Sequence, residues 1–160
     1  MSQGWREALR ERLALYGHRN WIAVVDSAYP AQSSPGIETL LTGAAQPDVI
    51  RETLAILAAA PHVIPAIYTD RELDFVPETD APGVSEYRRH LGTLLQGTPW
   101  KRLPHEEIIS MLDQAGRAFR ILILKTDMTI PYSSVFLQLG CAYWSPEAEG
   151  RLREVMSPDR

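Results

Sequence analysis

The chain has 160 residues, 45% of them hydrophobic and 22% charged, and a formal net charge of −4. This is the length and composition of one globular domain with a sizeable core, not of a disordered segment. The mixed charge argues against a nucleic-acid partner, no stretch reaches the roughly 18 apolar residues of a membrane helix, and the single cysteine, Cys141, excludes an internal disulfide or a multi-cysteine metal site.

Met1 to Glu7 carries no apolar stretch behind a basic start, so no secretory signal is read and a cytoplasmic location is expected. Trp5, Leu9, Leu13 and Tyr16 recur at helical steps, predicting an amphipathic helix over about 4–16, with Gly17 at its C-cap. The short apolar run Trp21 to Val25 reads as a fully buried strand ending at Asp26, and Tyr29-Pro30 stops it. A Ser/Pro/Gly loop over 31–36 leads to a second strand or turn at 37–41. Pro47 opens a helix to about Ala60, and His62 to Tyr68 is a third strand.

Residues 71–83 are acidic and turn-rich, and read as a loop before a helix that starts near Val84 with Tyr87 and Leu91 on its apolar face. Pro104-His105-Glu106-Glu107 has the acids of a first helical turn, continued by Ile108, Leu112 and Ala115. Ile121 to Leu124 is the most apolar run and the expected central strand, and Tyr132 to Leu139 is a further strand after a polar turn. The charged tail beyond Ser145 is a short helix or a frayed end.

Strands alternating with helices predict one α/β domain over 1–160, three-layered, with a largely parallel central sheet flanked by helices. Its core spans about 5–144 and its tail 145–160. Open sheets of this kind bind ligands outside the carboxyl ends of their strands, which places Asp26 and the polar turn holding Tyr132 at the expected site. His18 precedes the first strand, so about 15 Å separates it from Asp26 at roughly 3.3 Å per residue. A site using both curls the pre-strand turn back or draws the two residues from neighbouring subunits. Singly, each has an ordinary reading: His18 as a surface or capping histidine, Asp26 as a turn former, Tyr132 as a core aromatic with its hydroxyl at the rim.

Together they form a pattern. Gly17-His18 followed by Ala23-Val24-Val25-Asp26-Ser27-Ala28-Tyr29-Pro30 resembles the signature of the D-ribose pyranase and L-fucose mutarotase (RbsD/FucU) family: Gly-His, a buried strand, then Asp-Ala-x-x-Pro with the aspartate eight residues after the histidine. Ile37-Glu38 and Thr42-Gly43 resemble the residues that follow, and Pro30-Ala31 with Ser33 or Ser34 is closer to the fucose branch. Ile121 to Lys125, the turn Thr126 to Thr129, Tyr132-Ser133-Ser134 and Val135 to Gly140 resemble the second motif, a strand, an acidic or Thr-rich turn, Tyr-x-Asn and an apolar strand. Ser134 stands where the family has asparagine, and Gly36 where it usually has arginine. For the ligand-contacting His or Arg between the motifs, His105 is the best match, with Arg117 and Arg120 in reserve.

The resemblance implies a free monosaccharide as substrate, interconverted between anomers or between pyranose and furanose through the open-chain form, without metal or other cofactor. It implies His18 as general acid/base, since imidazole exchanges protons near neutrality, and Asp26, Tyr132, Ser134 and His105 as substrate-binding residues. It further implies a homo-oligomer, typically a decameric ring, with sites at subunit contacts to which Trp100, Tyr143 and Trp144 contribute if they are not core. The rival reading is a non-catalytic sugar-binding or regulatory oligomer, and a third is an enzyme acting on a different small polyol or sugar derivative in the same pocket. His62 reads as structural, His90 as a solvated helix face, Cys141 as a buried small hydrophobe and Asp127 as a turn cap.

Overall fold

The computed structural model describes residues 4–158. Their order is α1 (Gly4–Leu15), β1 (Trp21–Val25), β2 (Ile37–Leu41), α2 (Gln46–Ala58), β3 (Val63–Asp70), α3 (Val84–Leu94), β4 (Trp100–Leu103), α4 (His105–Ala115), β5 (Ile121–Lys125), β6 (Val135–Cys141) and α5 (Pro146–Met156). A 3₁₀ turn, Arg71–Phe75, occupies part of the segment expected to be loop.

The six strands form one sheet in the order β2-β5-β1-β6-β3-β4. β2 with β5, β5 with β1 and β3 with β4 pair in parallel, whereas β6 runs antiparallel to both β1 and β3. The largely parallel expectation therefore holds for five strands, and β6 is the reversed one.

Alternation of side chains explains why β1 and β5 are apolar at nearly every position. Ile22, Val24, Leu122 and Leu124 face a layer made by α1, α2 and α3, including Trp5, Leu9, Leu13, Val49, Leu57, Val84, Tyr87 and Leu91. Trp21, Ala23, Val25, Ile121 and Ile123 face the opposite way, onto Ile108 and Leu112 of α4. Both faces are covered, so every one of these strand residues is buried. α5 buries none of its residues and starts at Ser145, whose hydroxyl accepts the N–H of Ala148. Among the described residues no helix is long and apolar enough to cross a membrane.

Several details differ from the sequence expectations. Gly17 is not a left-handed cap; Asn20 accepts its N–H, and the left-handed residue of this turn is Arg19, at φ 77°. β4 was not expected, because Trp-Lys-Arg-Leu is a four-residue edge strand whose two charged residues mask any apolar period. β6 starts at Val135 rather than Tyr132. Cys141 is half-buried, not buried, at the end of β6. Trp100 is also half-buried, donating its indole N–H to Thr69 at 2.6 Å with the Arg102 guanidinium over its ring, while Tyr143 and Trp144 are exposed. Two histidines match the expectation: His62 is structural, bonded to the carbonyl of Leu13 at 2.8 Å, and His90 is exposed on α3.

The glycine at position 36 has a steric cause. A Cβ there would lie 2.8 Å from the carbonyl oxygen of Gly116 and 3.0 Å from that of Phe119, both backbone atoms. An arginine side chain at this position is incompatible with that approach, and the carbonyl of Gly36 also accepts the N–H of Ile121 at 2.9 Å. Gly36→Ala should lower stability by about 1–3 kcal/mol, read as a drop in the urea midpoint. An unchanged midpoint would mean that this loop does not sit as closely on the α4 terminus as described.

Candidate functional site

Register alone brings the candidate residues to one end of the sheet. Val24 on β1 and Thr69 on β3 both pair with Val135, the first residue of β6. Because β6 is reversed, its entrance lies between the carboxyl ends of β1 and β3. Ser134 and Asp70 are the residues next in line on β6 and β3, and Asp26 follows Val25, the last residue of β1, so the three gather at one sheet end.

The side chains then close on one another. The Ser134 hydroxyl donates to Asp26 Oδ1 at 3.0 Å and accepts the Asp26 backbone N–H at 3.4 Å. Asp70 pairs in register with Leu103 of β4, two residues before α4 begins at His105. His105 Nδ1 consequently lies 2.9 Å from Asp70 Oδ1. Both carboxylate oxygens of Glu72 accept the backbone N–H of His105, at 3.0 and 3.1 Å, placing negative charge where the helix start favours it. The Tyr132 ring meets His105 edge-on, with centroids 5.6 Å apart. Tyr132 is 41% exposed and left-handed, at φ 57°, a conformation disfavoured for a bulky residue.

A buried polar network holds that conformation. The carbonyl of Ser133 accepts from Gln46 Nε2 and from the Tyr87 hydroxyl, the latter at 2.6 Å. Gln46 Oε1 accepts from the Thr126 hydroxyl at 2.9 Å, and the Ser133 hydroxyl donates to the carbonyl of Ile130 at 2.6 Å. Side chains from α2, α3 and the β5 terminus thus fix the turn that carries Tyr132 and Ser134. Burial raises the Tyr87 hydroxyl pKa and keeps it a neutral donor. Tyr29, packed on Phe136 after β1, is pushed up to about 12, first by burial and then by Asp113, Asp70 and Asp26.

Asp70 is the most perturbed acid here. Burial drives its pKa up to about 6, opposed by its hydrogen bond and attraction to His105 and reinforced by Glu72 and Asp26. Only 1% of its side chain is exposed, and Oδ2 has no partner. The site is therefore acidic and rich in acceptors, with Asp26, Asp70 and Glu72 grouped beside two aromatic rings. Such a surface can receive several hydroxyl donors from a polyhydroxylated ligand.

Of the residues singled out in the sequence, Asp26 and Ser134 are directly bonded, and Tyr132 and His105 are in ring contact. His18 is not with them: it is exposed in the turn before β1, at the opposite end of that strand. Arg120 precedes β5, parallel to β1, and so lies at the His18 end, as does Arg117 just past α4; neither joins the Asp26 group. Asp127 is exposed, and its backbone N–H bonds to the carbonyl of Ala44. Asp70, Glu72 and Gln46 went unread, although Asp70 ends an apolar strand in the same way as Asp26, and Thr126 and Ser133 were read only as parts of the second motif. Two surface clefts lie away from the Asp26 group. One, of about 450 Å³, includes Leu13, Ile56 and His62, and the other, of about 380 Å³, includes Arg19, Trp21 and Phe119 beside the His18 turn. Among the described residues no group of three or more His, Cys, Asp or Glu side chains is arranged to hold a metal ion.

Residues 5–142 match the sequence profile of the RbsD / FucU transport protein family. No match was found among curated proteins. Among solved structures, the chain is similar to Bacillus subtilis RbsD complexed with D-ribose, at 22% identity and a TM-score of 0.56 over 83% of this chain and 91% of that one. It is also similar to the fucose mutarotase of Streptococcus pneumoniae in complex with L-fucose, at 20% identity and 0.52 over 81% and 89%. A third similar fold is FucU from Bifidobacterium longum, at 14% identity and 0.55 over 84% and 94%. These values do not separate the fucose branch from the ribose branch.

The raised pKa of Asp70 has a consequence for stability. A proton held more tightly in the folded state stabilises it most below pH 4, and that contribution is lost as pH rises through about 6. Asp70→Asn, which does not titrate, should therefore gain on the wild type between pH 4 and pH 7, by on the order of 2 kcal/mol in urea unfolding. A wild-type-to-variant difference that stays constant over that range would show that the Asp70 carboxyl is not desolvated.

Proposed function

The chain belongs to the RbsD / FucU transport protein family, and on that premise we propose that it is a monosaccharide mutarotase or pyranase acting on a free aldose. The observation that carries the reading is the cluster of Asp26, Ser134, Tyr132 and His105 at the carboxyl ends of β1, β3 and β4. Two of the similar structures are complexes with D-ribose and L-fucose, which supports a free sugar as the ligand.

Ring opening needs two proton transfers. The anomeric hydroxyl loses its proton as C1=O forms, the bond from C1 to the ring oxygen breaks, and the ring oxygen gains a proton. Reclosure on either face of the aldehyde, or through a different hydroxyl, gives the other anomer or ring size. Asp26 accepts hydrogen bonds from sugar hydroxyls, Ser134 orients Asp26, and Tyr132 offers a ring face and a hydroxyl. His18 is the general acid/base, worth roughly 10²–10⁴ in rate. Within one copy it sits a strand length from Asp26, so it serves the Asp26 pocket of another copy. This makes the active form a homo-oligomer, for which a decameric ring is the family expectation.

One observation favours the rival reading of sugar binding without turnover. The Ser134 hydroxyl is committed to Asp26, and where the family's asparagine would offer an amide it offers only that hydroxyl. Exchange-NMR on fucose, ribose, galactose and glucose decides between the two. Faster interconversion of anomers, or of pyranose and furanose, is expected with wild type, and a loss of roughly 10²-fold or more in His18→Ala. Saturable binding with no acceleration for any of these sugars would leave the binding-only reading. A sedimentation run showing only monomer would refute the site shared between copies.

A further inference from the structure

Asp70 is the only charged residue that is buried among the described residues. A buried carboxylate with one unpartnered oxygen is costly, and the neighbouring Asp26 and Glu72 add to the cost. A neutral side chain would hold a histidine ring in place at less expense. The charge therefore needs a reason beyond packing, and its one bonded partner is His105 Nδ1 at 2.9 Å.

We propose that Asp70 is a positioning residue that fixes the tautomer of His105, holding the proton on Nδ1 so that Nε2 presents its lone pair to the anomeric hydroxyl of the bound sugar. A neutral imidazole has one N–H and one acceptor nitrogen, and an ionised carboxylate against Nδ1 selects the Nδ1–H form. His105 is held from three sides: Glu72 bonds its backbone N–H, Asp70 its Nδ1, and Tyr132 packs on its ring. No hydrogen bond is made to Nε2 among the described residues. The side chain keeps 28% of its surface exposed, enough for a ligand to reach it.

This inference rests on the mutarotase reading and completes its proton balance. The proton of the anomeric hydroxyl passes to Nε2 of His105 as C1=O forms and the ring bond breaks. The ring oxygen takes a proton from the His18 imidazolium of another copy. His105 is then an imidazolium beside the Asp70 carboxylate, which favours that charge, and His18 is neutral. Reclosure returns both protons.

The test compares wild type with Asp70→Asn, both as full chains labelled with ¹⁵N-histidine, with His105→Gln used to assign the His105 signals. In wild type at pH 7.5, Nδ1 should carry the proton and Nε2 should resonate as the unprotonated nitrogen. In Asp70→Asn the Nε2–H form should gain population, and kcat for sugar exchange should fall by roughly 10²-fold with KM little changed. A purely structural role would lower stability or raise KM without moving the nitrogen signals. The inference is overturned if His105 keeps the same tautomer in Asp70→Asn, or if that variant retains the wild-type rate. Should wild type accelerate no sugar at all, the mutarotase reading fails by itself, and the nitrogen signals still decide whether Asp70 sets the tautomer.

Discussion

β6 runs against its two neighbours, and most of the site follows from that reversal. In an all-parallel sheet, strand entrances and strand exits lie at opposite ends, and residues before one strand never meet residues after another. Here the segment before β6 enters where β1 and β3 leave. Ser134 can therefore bond Asp26, although 108 positions separate them along the chain. The same entrance sets Tyr132 against His105, delivered by β4 and the first turn of α4. Antiparallel ladders on both edges of β6 fix its register, and a slip of one residue would turn Val135 and Leu137 away from the helical layer and break the alignment of Asp26, Ser134 and Asp70.

The reversal alone would leave a floppy turn, because Tyr132 sits in a backbone conformation it does not favour. Gln46, Tyr87, Thr126 and Ser133 supply the rigidity. All four are buried, and each bond satisfies a group that would otherwise be stranded in the core. The network reaches into three elements, so the turn moves only if α2, α3 or the β5 terminus also moves. Against this rigid base stands the acidic cluster above it. Asp70 is destabilising when charged, and the fold tolerates it at the sheet end where a ligand would dock. Under the proposed role of Asp70, stability is set aside at a position where the chemistry would use a charge.

The layers of the fold were legible because burial on both faces leaves a continuous apolar run, and Trp21 to Val25 and Ile121 to Leu124 have no other reading in a chain of this size. Asp26, Tyr132 and Ser134 were legible because each adjoins such a run. Asp70 carried the same signal, an acid closing a strand, but the strand was read only as far as Tyr68 and the acidic stretch after it made one more acid look ordinary. β4 was hidden by its own charges. Strand direction was hidden for a different reason: connection length distinguishes parallel from antiparallel only when the connected strands are neighbours. β5 and β6 are consecutive in sequence but are separated in the sheet by β1. The buried bonding roles of Gln46, Thr126 and Ser133 left no local mark, since a polar residue at a helix start or in a turn is usually exposed.

The separation of His18 from Asp26 constrains any assembly that uses both. The two residues bracket one strand and face opposite ends of the domain, so in an assembly that used both, one copy would offer two half-sites. Two copies related by a two-fold axis bring His18 of each to Asp26 of the other only if their β1 strands lie antiparallel and close, so that both half-sites fall within a single contact. A head-to-tail contact joins one half-site and leaves the other free, and repetition then continues until the rotation closes a ring. Either arrangement must accommodate the left-handed Arg19, which sets the direction in which His18 leaves the β1 entrance, and the left-handed Tyr132, which sets the opposite rim. The two disfavoured non-glycine conformations among the described residues thus fall beside His18 and in the turn that precedes Ser134. Among the described residues, non-glycine backbone strain is confined to two turns, one before β1 and one before β6, which are the places a contact pairing His18 with Asp26 would have to align.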